Sequence, residues 1–462
     1  MLIMAVGMAI ALWWHGWQGW GLGKGYPYNT FLFKPEVRFT DLTDVIGFSV
    51  LPCPYANPFA GYLPSSYVVF FYMSSMPPST AIAFVLSAAA LGFLMGLIVA
   101  LFPLFWKKSN PALSLTLVVF WSFGLALGSY PLWLSMDRCN IELLMAAMVT
   151  MALLCFQRRF FWIGLLCLLA PVCFKTFPIL LAALFVRHGH LWKVITLGLA
   201  AVVINFCSLA SFSAPVETSW QLWHHNLTNL SDAYVIHNWG LAGSASPWNA
   251  FKAWLETYIY LTTGASSGNM INGTSHSQVQ TLYFGFTCVA LITVITVVVY
   301  CIFFEREFYR RAILLLILMS LVVPNGSDYR LLYANIALII LIVLPSHRRF
   351  DLLAIALLAF MAIPKKEIFL DYLGTSDSGA KDINIGVLLN SPCMLAALTV
   401  LIVAGWPNHP WMRFRQKFSV LFTDMLDQKI FSAMEPVKQT RPAAKRKKAP
   451  GKNKLSVRKK RR

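Results

Sequence analysis

The sequence predicts an all-α polytopic membrane protein with about 11–13 transmembrane helices, short re-entrant helices and extracytoplasmic loops. Three observations lead there. Of 462 residues, 58% are hydrophobic and only 12% charged, where a soluble domain carries about 25% charged residues. The apolar residues fall in runs long enough to cross, or nearly cross, a hydrocarbon core of ~30 Å. The Lys and Arg of the short connections fall on one side if those runs alternate in direction.

In chain order, residues 1–14 are apolar but lack a basic leader and a small-residue cleavage site, so they read as a short first span. Residues 21–66, rich in Gly, Pro, Tyr and Asp, are too polar to span and form a first outer loop. Apolar spans follow at 81–104, 111–133, 143–157, 161–174, 178–187, 191–213, 281–304, 311–323, 331–345, 351–363 and 385–405. Lys107-Lys108, Arg158-Arg159, Arg187 with Lys193, Arg306 with Arg310-Arg311, and Arg348-Arg349 then share one face. Taking that face as cytoplasmic puts both termini inside, in a plasma (inner) membrane. Between Arg159 and Arg187 lie only 27 residues, whereas two full crossings need about 40. That stretch reads as a shallow hairpin with Lys175 at its apex.

The organisation expected is a transmembrane domain over 1–415 and a cytoplasmic amphipathic and basic tail over 416–462. The domain carries two large outer loops, 21–66 and 214–281. Net charge is +19, but twelve of the 38 basic residues lie between Arg441 and Arg462. Such a tail suits the anionic headgroups of membrane lipids, and no nucleic acid is expected as a partner. The nine Cys are scattered without metal-ligand spacing, which suits small apolar residues in a bilayer. Cys53 and Cys139 lie nearer the outer face, and a bridge between them is left open. Asn226-Leu227-Thr228 and Asn272-Gly273-Thr274 match the weak N-glycosylation pattern.

The chemistry-bearing residues gather on the outer side. Asp137-Arg138-Cys139-Asn140-Ile141-Glu142 puts three ionisable groups and an amide between apolar runs. An unpaired charge in hydrocarbon costs at least ~2.5 kcal/mol, so the cluster belongs at a membrane face or in a wet cavity. Asp41, in Arg38-Phe39-Thr40-Asp41-Leu42-Thr43-Asp44, is a general-base candidate, with Asp44 as alternate; the plain alternative is a helix-capping loop Asp. Arg138, Lys175 and Arg330 are cations suited to a phosphate. Equally, Arg138 could pair with Asp137 or Glu142, and Lys175 could snorkel to the surface. Asn325-Gly326-Ser327-Asp328-Tyr329-Arg330 forms a polar turn between spans, and residues 218–250 are dense in Trp, His and Asn. Aromatic faces with amide or imidazole tips grip sugars, yet they also populate the interfacial belt.

Asp137-Arg138-Cys139-Asn140-Ile141-Glu142, followed two spans later by Phe174-Lys175-Thr176-Phe177-Pro178, resembles glycosyltransferase family 87, within the GT-C superfamily. That family often reads Asp-Arg-Gly-Asn-Ile-Glu and then Ala-x-Lys-x-Tyr-Pro, with an acidic residue on the first outer loop and an Asp-Tyr-like turn later. Asp41, Pro64, Asp328 and Tyr329 fit. Cys139 stands for the usual Gly, and Phe177 for the usual Tyr. The resemblance implies a GT-C-type fold and inverting transfer of a hexose, mannose foremost, on the outer face. The implied donor is a polyprenyl-phosphate sugar, and the acceptor is a lipid or glycan hydroxyl. It implies Asp41 as base and Arg138, Lys175 and Arg330 on the leaving phosphate. Asp137, Asn140, Glu142, Asp328 and Tyr329 would orient substrate or cations, with His225, His237, Trp239 and Asn249 contacting the sugar. No cofactor and no metal-ligand set is expected, while a divalent metal is left open. The rival classes are a lipid-linked saccharide flippase, which should carry ionisable residues through mid-span, and a polysaccharide polymerase or ligase.

Overall fold

A computed structural model describes residues 2–25, 28–32, 38–106, 128–186, 190–236, 240–241, 244–263, 276–322, 326, 328–342, 344, 348, 350–365, 369–370 and 383–405. The described chain is helical apart from one two-stranded antiparallel pairing, Phe369–Leu370 with Ile383–Asn384. The basic tail and the expected Lys107-Lys108 connection lie outside the described residues.

Helices α1 (Leu2–Gly16), α2 (Thr40–Ser49), α3 (Pro64–Ser74) and α4 (Pro78–Trp106) come first. Helix α3 was not expected from sequence, because eleven residues, about 16 Å of helix, are too short to register as a span. Pro64 starts it at the position where a missing N–H costs nothing, and Pro77-Pro78 separate it from α4. Next come α5 (Tyr130–Arg138), α6 (Glu142–Gln157) and α7 (Phe161–Phe174). The last residues of the expected span 111–133 therefore open a separate helix, α5, whose far end is polar. Residues 107–127 of that region lie outside the described ones.

The expected short hairpin is present. Helix α7 has 14 residues, about 21 Å. The chain returns through a 3-10 segment, Phe177–Ala182, and one α turn, α8 (Ala183–Val186). The second outer loop is folded: it holds α10 (Val216–Ser231) and α11 (Pro247–Thr263), between α9 (Leu191–Ala210) and α12 (His276–Val299). The last helices are α13 (Phe308–Leu321), α14 (Leu331–Ile342), α15 (Asp351–Met361) and α16 (Ile385–Gly405).

Among the described residues, three helical stretches are long and apolar enough to cross a membrane: 191–210, 279–304 and 385–405. Several shorter apolar helices accompany them. The first two bury only 17% of their apolar stretch inside the protein. Leu199, Val202, Phe206, Phe284, Leu291 and Ile292 face outward, which is stable only against lipid. By contrast, every residue from Arg310 to Leu321 on α13 and from Leu331 to Ile339 on α14 is buried. These two helices are apolar on all sides because protein surrounds them.

Because α6, α7, α13 and α14 alternate in direction, their connections sort to two ends. One end carries Arg158, Glu305, Arg310, Arg348 and Asp351. There Arg310 donates to both Asp351 oxygens at 2.9 and 2.6 Å, and Arg348 to both Glu305 oxygens at 2.7 and 3.0 Å. The other end collects the α5–α6 junction, Lys175 and Asp328–Arg330, with α2 packed over them.

The α5–α6 junction turns on Cys139, whose φ of 50° lies in the left-handed region. The Cys139 N–H bonds Met136 O at 3.0 Å and the Asn140 N–H bonds Ser135 O at 3.0 Å, which closes the helix end. This is the position where Gly is usual, so the departure at Cys139 preserves the turn. Cys53 and Cys139 are both free thiols, so no bridge joins them. Cys139→Gly is expected to retain at least half the activity, whereas Cys139→Val, β-branched in left-handed space, should lose activity and folded yield. Size-exclusion profiles and turnover of the two variants check this.

Candidate active site

The residues of this end meet around one buried carboxylate. Glu142 opens α6 and is 1% exposed. Lys175 Nζ donates to its Oε1 at 2.6 Å, and the Tyr333 hydroxyl donates to its Oε2 at 2.6 Å. Arg330 Nε lies 3.9 Å from the same Oε1. Lys175 reaches this position because α7 ends at Phe174, well short of a full crossing. Arg330 and Tyr333 lie three residues apart, across the start of α14, and so share a face.

A second group lies beside the first. Arg138 donates to Asp41 Oδ1 through Nε at 3.0 Å and Nη2 at 2.6 Å. Asn140 Nδ2 donates to Asp41 Oδ2 at 2.7 Å, and the Tyr329 hydroxyl bonds into the same Asp41–Arg138 pair. Asn140 Oδ1 accepts the Glu142 N–H at 3.0 Å, so one amide links the two groups. Asp41 sits in the first turn of α2. Arg38 Nε pairs with Asp137 Oδ1 at 3.2 Å, and the Phe39 N–H bonds Asp137 O at 2.9 Å. These two contacts fix the start of α2 on the end of α5. Asp44, one turn further along α2, is exposed. Partial desolvation of its carboxyl and the nearby Asp41 carboxylate push it upward, with Arg138 pulling the other way.

Both groups border a cavity of about 350 Å³. Asn140, Lys175, Tyr329 and Arg330 line one side, with Phe174 and Phe177; Tyr62, Trp223, Leu227, Leu230 and Tyr234 are also in its wall. Asp41 lies behind Asn140 and Tyr329, with its side chain 17% exposed. Two cation–aromatic contacts hold the cations: Lys175 Nζ is 4.8 Å from the Tyr62 ring centre, and the Arg330 guanidinium 4.9 Å from that of Phe177. The residue that replaces the usual Tyr thus serves as a ring for Arg330. Arg330 Nη1 is buried without a hydrogen-bond partner among the described residues.

Asp328, Asn249 and His225 are not in the lining of this cavity. Asp328 accepts from the Tyr130 hydroxyl at 3.0 Å, behind Tyr329. Asn249 donates to Ser244 and Ser246 at 3.0 Å each, and Ser244 donates to Gly326 O at 2.8 Å. Asn249 therefore buttresses the turn that presents Arg330. His225 points outward and meets Asn229 at 3.0 Å. His237 and Trp239 lie outside the described residues. Asn226 is 2% exposed, and its amide donates to Tyr55 O, Asn57 O and Ala60 O. It is a clamp between α10 and the first loop, so the sequon there is not a glycan acceptor in the folded protein. Arg38, Tyr62 and Tyr333 are not singled out by the sequence for this region, and Trp223 is there only one of the aromatic residues of 218–250. Tyr62 had a signal, its place in Tyr62-Leu63-Pro64, whereas Tyr333 sits inside an apolar run and had none. Among the described residues, no three His, Cys, Asp or Glu side chains cluster to hold a metal ion.

Breaking the buried group has a calculable effect. Glu142→Ala leaves Lys175 and Arg330 facing each other without a counter-charge, and stability should fall by ~3 kcal/mol, the low end for a buried pair because Lys175 is partly exposed. Tyr333→Phe removes one hydrogen bond and should cost about 1 kcal/mol. Thermal unfolding in detergent ranks the two.

No curated protein and no solved structure matches the chain. A sequence model of glycosyltransferase family 87 matches residues 59–324, more than half the chain, including Arg138, Asn140, Glu142 and Lys175. Asp41 lies before that range and Arg330 after it, and the fold brings both to the matched residues. The flippase reading is thereby set aside. The chain belongs to glycosyltransferase family 87 and is a multi-pass membrane glycosyltransferase of the GT-C type.

Proposed function

We propose that this enzyme transfers a hexose, mannose foremost, with inversion, from a polyprenyl-phosphate sugar to a hydroxyl of a lipid or glycan acceptor. The observation that carries the reading is the pairing of a carboxylate, Asp41, with a neighbouring cavity that holds Lys175 and Arg330. A carboxylate for the acceptor and cations for the leaving group are what a displacement at an anomeric carbon needs.

In this reading the donor phosphate lies between Lys175 and Arg330, and Arg330 Nη1 gains the acceptor it lacks. The phosphate also competes for Arg138, which leaves Asn140 to hold the Asp41 carboxylate. Asp41 takes the proton of the acceptor hydroxyl as that oxygen attacks the anomeric carbon. The bond from that carbon to the phosphate oxygen breaks, and polyprenyl phosphate departs. The donor phosphodiester carries one negative charge and the leaving monoester up to two, so the cations stabilise the transition state more than the ground state. A donor borne by a lipid explains why the cavity lies at the end of short membrane helices. Transfer on the outer face, with the tail and both termini in the cytoplasm, accords with the Arg-rich opposite end. The tail would then hold anionic lipid headgroups.

Asp41→Asn should lower transfer at least ~10²-fold, the lower range for loss of a general base, with the protein still in the membrane fraction. Asp44→Asn should keep most activity. The reverse pattern, an active Asp41→Asn and an inactive Asp44→Asn, would move the base one turn along α2. Lys175→Met and Arg330→Met should each cut kcat together with donor affinity. The assay uses mannosyl and glucosyl phosphoryl polyprenols with membrane lipid or glycan acceptors.

A further inference from the structure

The cavity contains a second unmet donor, which the phosphate chemistry does not use. Trp223 Nε1 is buried and has no acceptor among the described residues, and Trp223 lines the same cavity as Lys175 and Arg330. A buried donor without a partner is uncommon in a folded protein and calls for an explanation.

Its placement is enforced from outside the cavity. The indole packs on Trp220 at 4.9 Å and on Tyr55 at 6.5 Å between ring centres. Tyr55 is itself held edge-on by Tyr67 at 5.3 Å and donates to Tyr62 O at 3.0 Å. One turn on, the Asn226 amide locks α10 to three backbone carbonyls of the first loop at 3.0, 2.8 and 3.3 Å. These contacts hold the indole in place, and Trp223 lines the cavity, where a bound ligand can supply the acceptor.

We infer that the Trp223 indole N–H donates to a hydroxyl of the donor's sugar, which makes Trp223 a sugar-specificity residue. This rests on the donor reading above. The three parts of such a donor differ in what they offer. The phosphate is an anion and is matched by Lys175 and Arg330. The prenyl chain has no acceptor and would leave the N–H unmet. Only the sugar offers neutral oxygens beside an apolar ring face, and an indole meets both needs. Tyr62 and Tyr234 share the cavity wall with Trp223 and supply further aromatic surface. A site built to bond one hydroxyl rejects the sugar that lacks it, because its own donor is then left unpaired.

The test uses purified wild type, Trp223→Phe and Trp223→His with mannosyl and glucosyl phosphoryl polyprenols and the monodeoxy analogues of the better donor. Trp223→Phe keeps a ring and deletes the N–H. It should raise the donor KM about 3- to 10-fold with little change in kcat. It should also turn over one deoxy analogue as well as the parent sugar, an analogue that wild type rejects. Trp223→His, which restores a ring N–H, should recover part of that discrimination. Inhibition by sugar-free polyprenyl phosphate should be unchanged in both variants. An equal loss for every donor, or weaker inhibition by sugar-free polyprenyl phosphate, would overturn the inference and reduce Trp223 to packing. Wild type that turns over neither donor would overturn the donor reading first, and this assignment with it.

Discussion

Burying Glu142 between Lys175 and Arg330 is the constraint on which the rest depends. One carboxylate facing two cations leaves a surplus positive charge at the end of membrane helices, where an uncompensated charge is expensive. The Tyr333 hydroxyl and the Tyr62 and Phe177 rings offset part of that cost. They do not cancel it, and Arg330 still holds an N–H unmet among the described residues. The neighbouring Asp41–Arg138 pair is neutral as a unit, so it does not absorb the surplus. An anion entering the cavity does, and a phosphate borne on a lipid can arrive from the membrane side.

That constraint explains the odd lengths in the fold. Helix α7 must stop early for Lys175 to lie below the surface, and the return through a 3-10 segment keeps the hairpin shallow. Helix α5 must end in a left-handed residue so that Asn140 and Glu142 turn back toward the cations. The Asp328–Arg330 turn must be braced, by Tyr130 on one side and by the Ser244–Asn249 knot on the other. The first outer loop is drawn in by Arg38 on Asp137 and by Arg138 on Asp41. Four connections, far apart in the chain, thus serve one small volume.

Much of this was legible in the sequence, and for physical reasons. Charged residues flanked by apolar runs must be paired or wet, so Asp137–Glu142 and Lys175 stood out at once. The hairpin was legible because 27 residues cannot cross a bilayer twice. The part of the wall that α10 supplies was not. His225 and Trp223 are two residues apart on α10, so a helical period turns one outward and the other into the cavity, and composition alone cannot choose between them. Tyr333 lay within an apolar run, where a hydroxyl gives no periodic signal. Helix α3 was missed because it is shorter than any span, and Asn226 read as a surface sequon because nothing local shows that three carbonyls claim its amide.

The most direct measurement is the structure of the enzyme with a bound mannosyl phosphoryl polyprenol, held before turnover by Asp41→Asn. The phosphorus is expected between Lys175 Nζ and the Arg330 guanidinium, the anomeric carbon toward residue 41, and the prenyl chain leaving toward lipid. A phosphate bound outside this cavity, with Lys175 still closed on Glu142 and Arg330 Nη1 still without a partner, would contradict this placement.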